Sequence, residues 1–160
     1  MVTERTYRKP PAGLIVSCQA AEGEPLYGLQ MMRYMARAAV RGGAVAIRAL
    51  AEEIPLIRQE VDVPIIGLVK RKYADSDVYI TPTREEVDAV IASGADVIAL
   101  DATGRPRPNG ETLESLVAYA KRRAPAIYLM ADADTLENAL AADRMGFDFV
   151  GTTMRGYTPA

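Results

Sequence analysis

The sequence predicts an α/β fold in which short parallel strands alternate with helices, and three observations carry that reading. First, six apolar runs each finish on a polar or charged residue: 13–18 into Gln19, 44–47 into Arg48, 64–69 into Lys70, 96–100 into Asp101, 126–131 into Asp132 and 147–151 into Thr152. Near-continuous apolar runs of this length suit strands buried on both faces. Second, glycines that read as helix stops stand before three of these runs, at Gly43, Gly94 and Gly146. Their near-even spacing is that of a chain built from compact βα units. Third, the segments after the strand ends are polar, notably 71–82 and 102–110. In a sheet of parallel strands all the C-terminal ends lie on one rim, where a β/α barrel places its active site.

Residues 1–12 read as an N-terminal arm, broken by Pro10-Pro11 before the first strand, and residues 13–160 as one partial β/α barrel domain. The first helix is expected over 27–41. Met31, Met32, Met35, Ala36 and Ala39 fall near helical spacing and give it an apolar face. A second helix over 50–60 contains Pro55, which costs about 3 kcal/mol in a helix interior, so its regular part is expected to start near that residue. Thr83 with Glu86 makes a capping box for the third helix. The fourth helix is expected over 111–123. Asp134 with Glu137 reads as a similar cap for the fifth, which closes at Gly146.

A length of 160 residues suggests one domain with a sizeable core. The net charge of −2 gives no electrostatic reason to expect nucleic acid or an anionic membrane surface as a partner. Cys18 is the only cysteine, so no intrachain disulfide can form, and a cytoplasmic setting fits. At the end of an apolar run it reads as a small buried residue. No stretch is long enough to span a bilayer, and the polar N-terminus lacks the apolar segment of a signal peptide. The absence of histidine removes the commonest general base and metal ligand. Acid–base chemistry must therefore use lysine, carboxylates or tyrosine.

Six strands fall short of the eight of a closed barrel. Pattern alone leaves two architectures open: a doubly wound sheet, or a barrel of about six βα units. The dinucleotide fingerprint Gly-x-Gly-x-x-Gly is missing after the first strand. The motifs narrow the choice. Leu14-Ile-Val-Ser-Cys-Gln-Ala, Gly42-Gly-Ala-Val-Ala-Ile-Arg-Ala, Pro64-Ile-Ile-Gly-Leu-Val-Lys-Arg, Tyr79-Ile-Thr-Pro-Thr, Ile98-Ala-Leu-Asp-Ala-Thr, Arg107-Pro-Asn-Gly-Glu-Thr and Leu129-Met-Ala-Asp occur in order, followed by Gly151-Thr-Thr and Gly156-Tyr-Thr-Pro. Together they resemble the motifs of the N-acetylmannosamine-6-phosphate 2-epimerase family, over about residues 13–159.

The resemblance implies a TIM-type (β/α)8 barrel, here incomplete with about six βα units. It implies an isomerase that interconverts N-acetylmannosamine 6-phosphate and N-acetylglucosamine 6-phosphate in sialic-acid catabolism, with no cofactor and no metal. The family's catalytic lysine falls on Lys70, and its active-site arginine on Arg48. Its polar substrate-contacting positions fall on Gln19 and Asp132. Asp101 is expected to support Arg48 or Lys70 from behind, and Tyr157 and Thr158 lie in a further family motif. Two departures stand out. The sequence ends after the sixth strand, before the family's seventh-strand glutamate and its phosphate-binding loops, and the segment after Arg48 is about one residue shorter.

The chemistry fits such residues. Epimerisation beside a carbonyl removes a proton, stabilises the resulting anion and returns a proton on the other face. A lysine serves as base when burial or a nearby cation keeps part of it neutral, and Lys70 and Arg48 close successive strand runs. Two alternatives remain: a non-catalytic or incomplete fragment of such a barrel, and a class I aldolase-like lyase in which Lys70 forms a Schiff base. The expected small-molecule partner is a sugar phosphate. The expected macromolecular partner is a second copy of the chain or a complementing chain.

Overall fold

Strands β1 (Ile15–Cys18), β2 (Ala46–Leu50), β3 (Ile65–Leu68), β4 (Val97–Asp101), β5 (Tyr128–Asp132) and β6 (Phe149–Gly151) pair in parallel, in chain order. The computed structural model describes residues 6–20, 22–28 and 30–159. Helices α1 (Met32–Arg41), α2 (Ile54–Ile57), α3 (Arg84–Ser93), α4 (Leu113–Arg123) and α5 (Leu136–Arg144) fill the crossovers. A doubly wound sheet reverses its strand order at a switch point. Here the order never reverses, so these are six consecutive units of a TIM-type barrel. β1 and β6 are each paired on one side only, and their apolar residues are correspondingly wet: Ile15 is 40 % and Val150 41 % exposed.

The sheet has two apolar faces because side chains alternate along each strand. Ile47, Ala49, Ile65, Ile98, Leu100 and Leu129 point outward and pack under the helices. Leu50, Ile66, Leu68, Val97 and Ala99 point inward and form a second cluster with Ile80 and Met154. The register aligns Arg48 with Ile66, Ile66 with Val97 and Val97 with Tyr128, which puts Arg48 on the inner face. By the same alternation Asp101 and Asp132, paired at the ends of β4 and β5, also face inward.

The N-terminal ends of the strands are sealed by carboxylates. The buried Asp96 accepts from the backbone N–H of Ile65 (2.8 Å) and of Arg8 (3.2 Å), and pairs with the Arg58 guanidinium. Asp148 accepts from Leu129 N–H at 2.8 Å. Arg8 also donates to the Val63 carbonyl at 3.0 Å. The described part of the N-terminal arm thus lies across this end, with Pro10 buried. Among the described residues no helix is long and apolar enough to cross a membrane. Cys18 is buried, as expected, and burial pushes its thiol pKa up.

Local chemistry explains where the elements depart from expectation. Helix α1 begins at Met32 rather than at residue 27, because Gly28 and Gln30 adopt left-handed backbone with φ of 70° and 55°. The expected apolar face is only half used: Met32 and Ala36 are buried, whereas Met31 and Met35 are exposed. Leu50 ends β2, a single 3-10 turn follows, and α2 is one short turn with Pro55 in its first positions, where the missing N–H costs nothing. Thr83 and Glu86 do cap α3. At α5 the cap is Thr135, whose hydroxyl accepts from Asn138 N–H at 3.1 Å. Asp134 instead accepts from the Asn138 amide and the Thr158 hydroxyl, fastening the segment after β6 to this helix.

Gly67 lets α3 approach β3 closely. A Cβ there would lie 2.7 Å from the Ala95 side chain and 2.9 Å from those of Ile54 and Val90. Gly67→Ala is therefore expected to destabilise the fold by about 1–3 kcal/mol, the range for overpacking a filled core. Urea unfolding of the two proteins side by side checks this, and equal midpoints would show that the helix has room to move.

Candidate functional site

The C-terminal strand ends form the opposite rim, and a cleft of about 290 Å³ opens in it. Three of the residues singled out in the sequence meet there: Gln19 after β1, Arg48 on β2 and Lys70 after β3. Gln19 donates from its amide to the Ser17 hydroxyl at 2.7 Å, and both side chains line the cleft.

Asp132 stands behind this group rather than in it. Its carboxylate is fully buried and accepts two bonds from the Arg48 guanidinium, Nη1 to Oδ1 at 3.0 Å and Nη2 to Oδ2 at 2.6 Å. Forked pairing of this kind fixes the guanidinium plane as well as its position. Arg48 shares its pairing row with Tyr128, four residues before Asp132. The long arginine arm spans that offset, a consequence of strand tilt and stagger in a barrel. The partner of Asp132 is therefore Arg48.

Asp101 also serves a different neighbour from the one expected. Its Oδ1 accepts from the Thr103 N–H (3.0 Å) and hydroxyl (2.7 Å), and its Oδ2 from Arg105 at 2.8 Å. It organises the loop after β4 and makes no bond to Arg48 or Lys70.

Lys70 lies two residues beyond the end of β3 and is exposed, not walled in as the apolar run before it suggested. What places it is a small antiparallel ribbon. Arg71 N–H donates to the Tyr79 carbonyl (3.0 Å) and Thr81 N–H to the Val69 carbonyl (2.8 Å). Lys70 and Ile80 are consequently a directly opposed pair without mutual hydrogen bonds, the arrangement in which cross-strand side chains come closest. Ile80 N–H and C=O leave the ribbon on the other side, where the carbonyl accepts from Asp101 N–H at 3.1 Å. The ribbon is thereby inserted between the ends of β3 and β4.

Sequence reasoning passed over Tyr79, although it lies in one of the motifs. It lines the cleft with Lys70, and among the described residues its hydroxyl donates only to the Met154 sulfur, at 3.9 Å. Burial, reinforced by the Asp101 charge, holds its pKa above the ordinary phenol value, so it is a neutral O–H donor across the working pH range. Tyr157, noted only as part of a motif, lines the same cleft and is exposed. Among the described residues no carboxylate lines this cleft. Among the described residues no cluster of carboxylates and sulfur could hold a metal ion.

The family model described as "NanE: Putative N-acetylmannosamine-6-phosphate epimerase" matches residues 32–160. A Staphylococcus carnosus protein named "Putative N-acetylmannosamine-6-phosphate 2-epimerase" is 56 % identical over 149 residues, which cover 92 % of this chain and 66 % of the relative. A Listeria welshimeri relative with the same name is 50 % identical over 153 residues, covering 95 % and 65 %. The solved N-acetylmannosamine-6-phosphate 2-epimerase from Clostridium perfringens superimposes with a TM-score of 0.86 at 49 % identity, over 91 % of this chain and 63 % of that one. The chain thus spans about two thirds of the length of the curated relatives it matches.

The Arg48–Asp132 pair yields a direct expectation. Asp132→Ala leaves a buried guanidinium without its countercharge and should destabilise the fold by about 3–5 kcal/mol. Replacing both partners with apolar residues of similar volume should recover most of that loss. Denaturant melts of the single and paired variants test this, and a single variant as stable as the parent would show that water reaches Arg48.

Proposed function

Because the chain belongs to the N-acetylmannosamine-6-phosphate epimerase family, we propose that it carries the substrate cleft and proton-abstracting base of an enzyme that interconverts N-acetylmannosamine 6-phosphate and N-acetylglucosamine 6-phosphate. The observation that carries this reading is the meeting of Lys70, Arg48 and Gln19 around one cleft at the C-terminal rim. Lys70 as the free amine takes the C2 proton, and the electron pair passes to the adjacent carbonyl oxygen as an enolate. Arg48, its plane fixed by Asp132, and the Tyr79 hydroxyl are the donors suited to that oxygen. Gln19 can give and accept bonds to hydroxyl or acetamido groups. Return of a proton to the opposite face of C2 completes the inversion without any redox change.

In the chain continued with the C-terminal part of a relative, Lys70→Ala should reduce solvent-deuterium uptake at C2 by about 10²-fold or more, the usual weight of a general base. The exposed position of Lys70 predicts an unchanged circular dichroism spectrum. Uptake near the parent rate in a folded variant would remove Lys70 from this role.

Among the described residues the cleft presents one amine and no carboxylate, and the relatives are longer. The 160-residue chain by itself is accordingly expected to show little or no turnover. The comparison is the chain against the same chain continued with the C-terminal part of a relative, and equal activity would mean that these residues already hold a complete site. The half-paired strands β1 and β6 support a second expectation, since open edges invite pairing with another chain. Size-exclusion chromatography with light scattering over a concentration range should show self-association, or complementation by a peptide carrying further βα units. A monomer that melts cooperatively would refute it. A cytoplasmic setting belongs to the same reading and is supported by the lone, buried Cys18.

A further inference from the structure

Arg107 is a buried cation that makes no ion pair among the described residues. It is 7 % exposed, and its three acceptors are all backbone carbonyls: Thr81 at 3.3 Å, Pro82 at 3.1 Å and Asp101. The first two belong to the loop after β3 and the third ends β4, so one side chain ties two loops together. Burial lowers its pKa and the nearby carboxylates of Asp101, Glu111 and Glu114 only partly offset this. A charge held in that way is costly to bury, and packing alone does not call for it.

What it holds is strained. Thr81 is fully buried and has φ of 45°, a conformation in which a β-branched residue is an outlier. Such outliers persist only where the surroundings over-determine them. Thr81 is fixed from both sides: Arg107 takes its carbonyl, its N–H donates to the Val69 carbonyl, and its hydroxyl accepts from Val69 N–H at 3.3 Å. Val69 directly precedes Lys70. The far part of the ribbon is fastened separately, by the buried Glu86 carboxylate, which accepts from the Tyr73 hydroxyl at 3.0 Å and pairs with Arg71 at 2.9 Å.

We propose that Arg107 is a positioning residue for Lys70: by bridging the Thr81, Pro82 and Asp101 carbonyls it locks Thr81 in the left-handed conformation that closes the ribbon, and so fixes the Lys70 amine over the cleft. This rests on Lys70 being the base, and it adds a residue that never touches substrate. An ammonium cannot replace the planar fork across three carbonyls, so Arg107→Lys keeps the charge and removes the bridge.

The test compares the parent with Arg107→Lys and Arg107→Ala, using hydrogen exchange of individual amides, the ratio of Lys70 to Lys72 acetylation by a limiting acylating reagent, and steady-state kinetics. In Arg107→Lys the Thr81 and Arg71 amides should exchange about tenfold faster, the equivalent of one hydrogen bond's net contribution. The amides of β2 and β5 should be unchanged, and the labelling ratio should shift. In the form continued with the C-terminal part of a relative, kcat for epimerisation should fall by about 10²-fold, as for a misplaced reacting group, with KM little altered. Arg107→Ala should show the same pattern more strongly, and if it does not fold, Arg107→Lys decides alone. Exchange that rises evenly over the sheet, an unmoved labelling ratio, or a raised KM at parent kcat would overturn the positioning role. If the parent and its extended form do not epimerise the sugar phosphate, the proposed activity fails instead, and the amide and labelling results still decide whether Arg107 places Lys70.

Discussion

The ion pair between Arg48 and Asp132 constrains everything else at the C-terminal rim. The barrel interior beneath it is Leu50, Ile66, Leu68, Val97 and Ala99, where a lone charge would be far costlier than any packing could offset. Two charges facing one another across that interior, with both carboxylate oxygens matched to both guanidinium nitrogens, meet the requirement. The same pair joins β2 to β5, which are not neighbours in the sheet. It therefore forms the polar floor of the cleft and ties two non-adjacent strands at once. Apolar residues could supply comparable stability; the pair supplies an oriented guanidinium instead.

Polarity is divided along the barrel axis. At the N-terminal ends Asp96 and Asp148 take backbone N–H groups and the Arg58 and Lys121 side chains, so that their bonding capacity is spent within the fold. At the C-terminal ends the Lys70 side chain is exposed, the Tyr79 hydroxyl has a sulfur as its one hydrogen-bond acceptor among the described residues, and the Gln19 amide turns to a hydroxyl on its own strand. Satisfied polar groups stabilise one end, and underused donors gather at the other. That asymmetry is what a β/α barrel with chemistry on one rim requires.

Much of this was legible in the residues because each strand ends where its apolar run stops. The parallel order, the capping of α3 and the meeting of Gln19, Arg48 and Lys70 all follow from runs and their punctuation. Where the structure departs from those runs, the deciding contacts lie outside the run that suggested each residue, whether four positions on or across the barrel. Asp101 could not be matched to Arg105 by a run that ends at Asp101, since the partner lies in the next loop. Asp132 could be placed on the inner face by alternation, but its bond to Arg48 spans 84 positions and needs the stagger of the barrel. Met31 and Met35 have helical spacing yet remain exposed, because spacing shows which residues share a face and not whether anything covers it.

Lys70 shows most clearly how a strand-end residue acquires a fixed place. The run 64–69 suggests that the buried strand itself presents the lysine, but β3 ends at Leu68 and the amine stands in solvent. Its position comes from the chain that returns twelve residues later, when Thr81 pairs with Val69 through backbone and hydroxyl together. An isolated two-stranded ribbon is marginal in water, so this one persists because it is fastened elsewhere: to β4 through the Ile80 carbonyl, to α3 through Glu86, and to the loop after β4 through Arg107. A flexible four-carbon side chain is thereby carried on a rigid base. The sheet supplies the walls of the cleft, but the loop bonded across its ends determines where the Lys70 amine can reach.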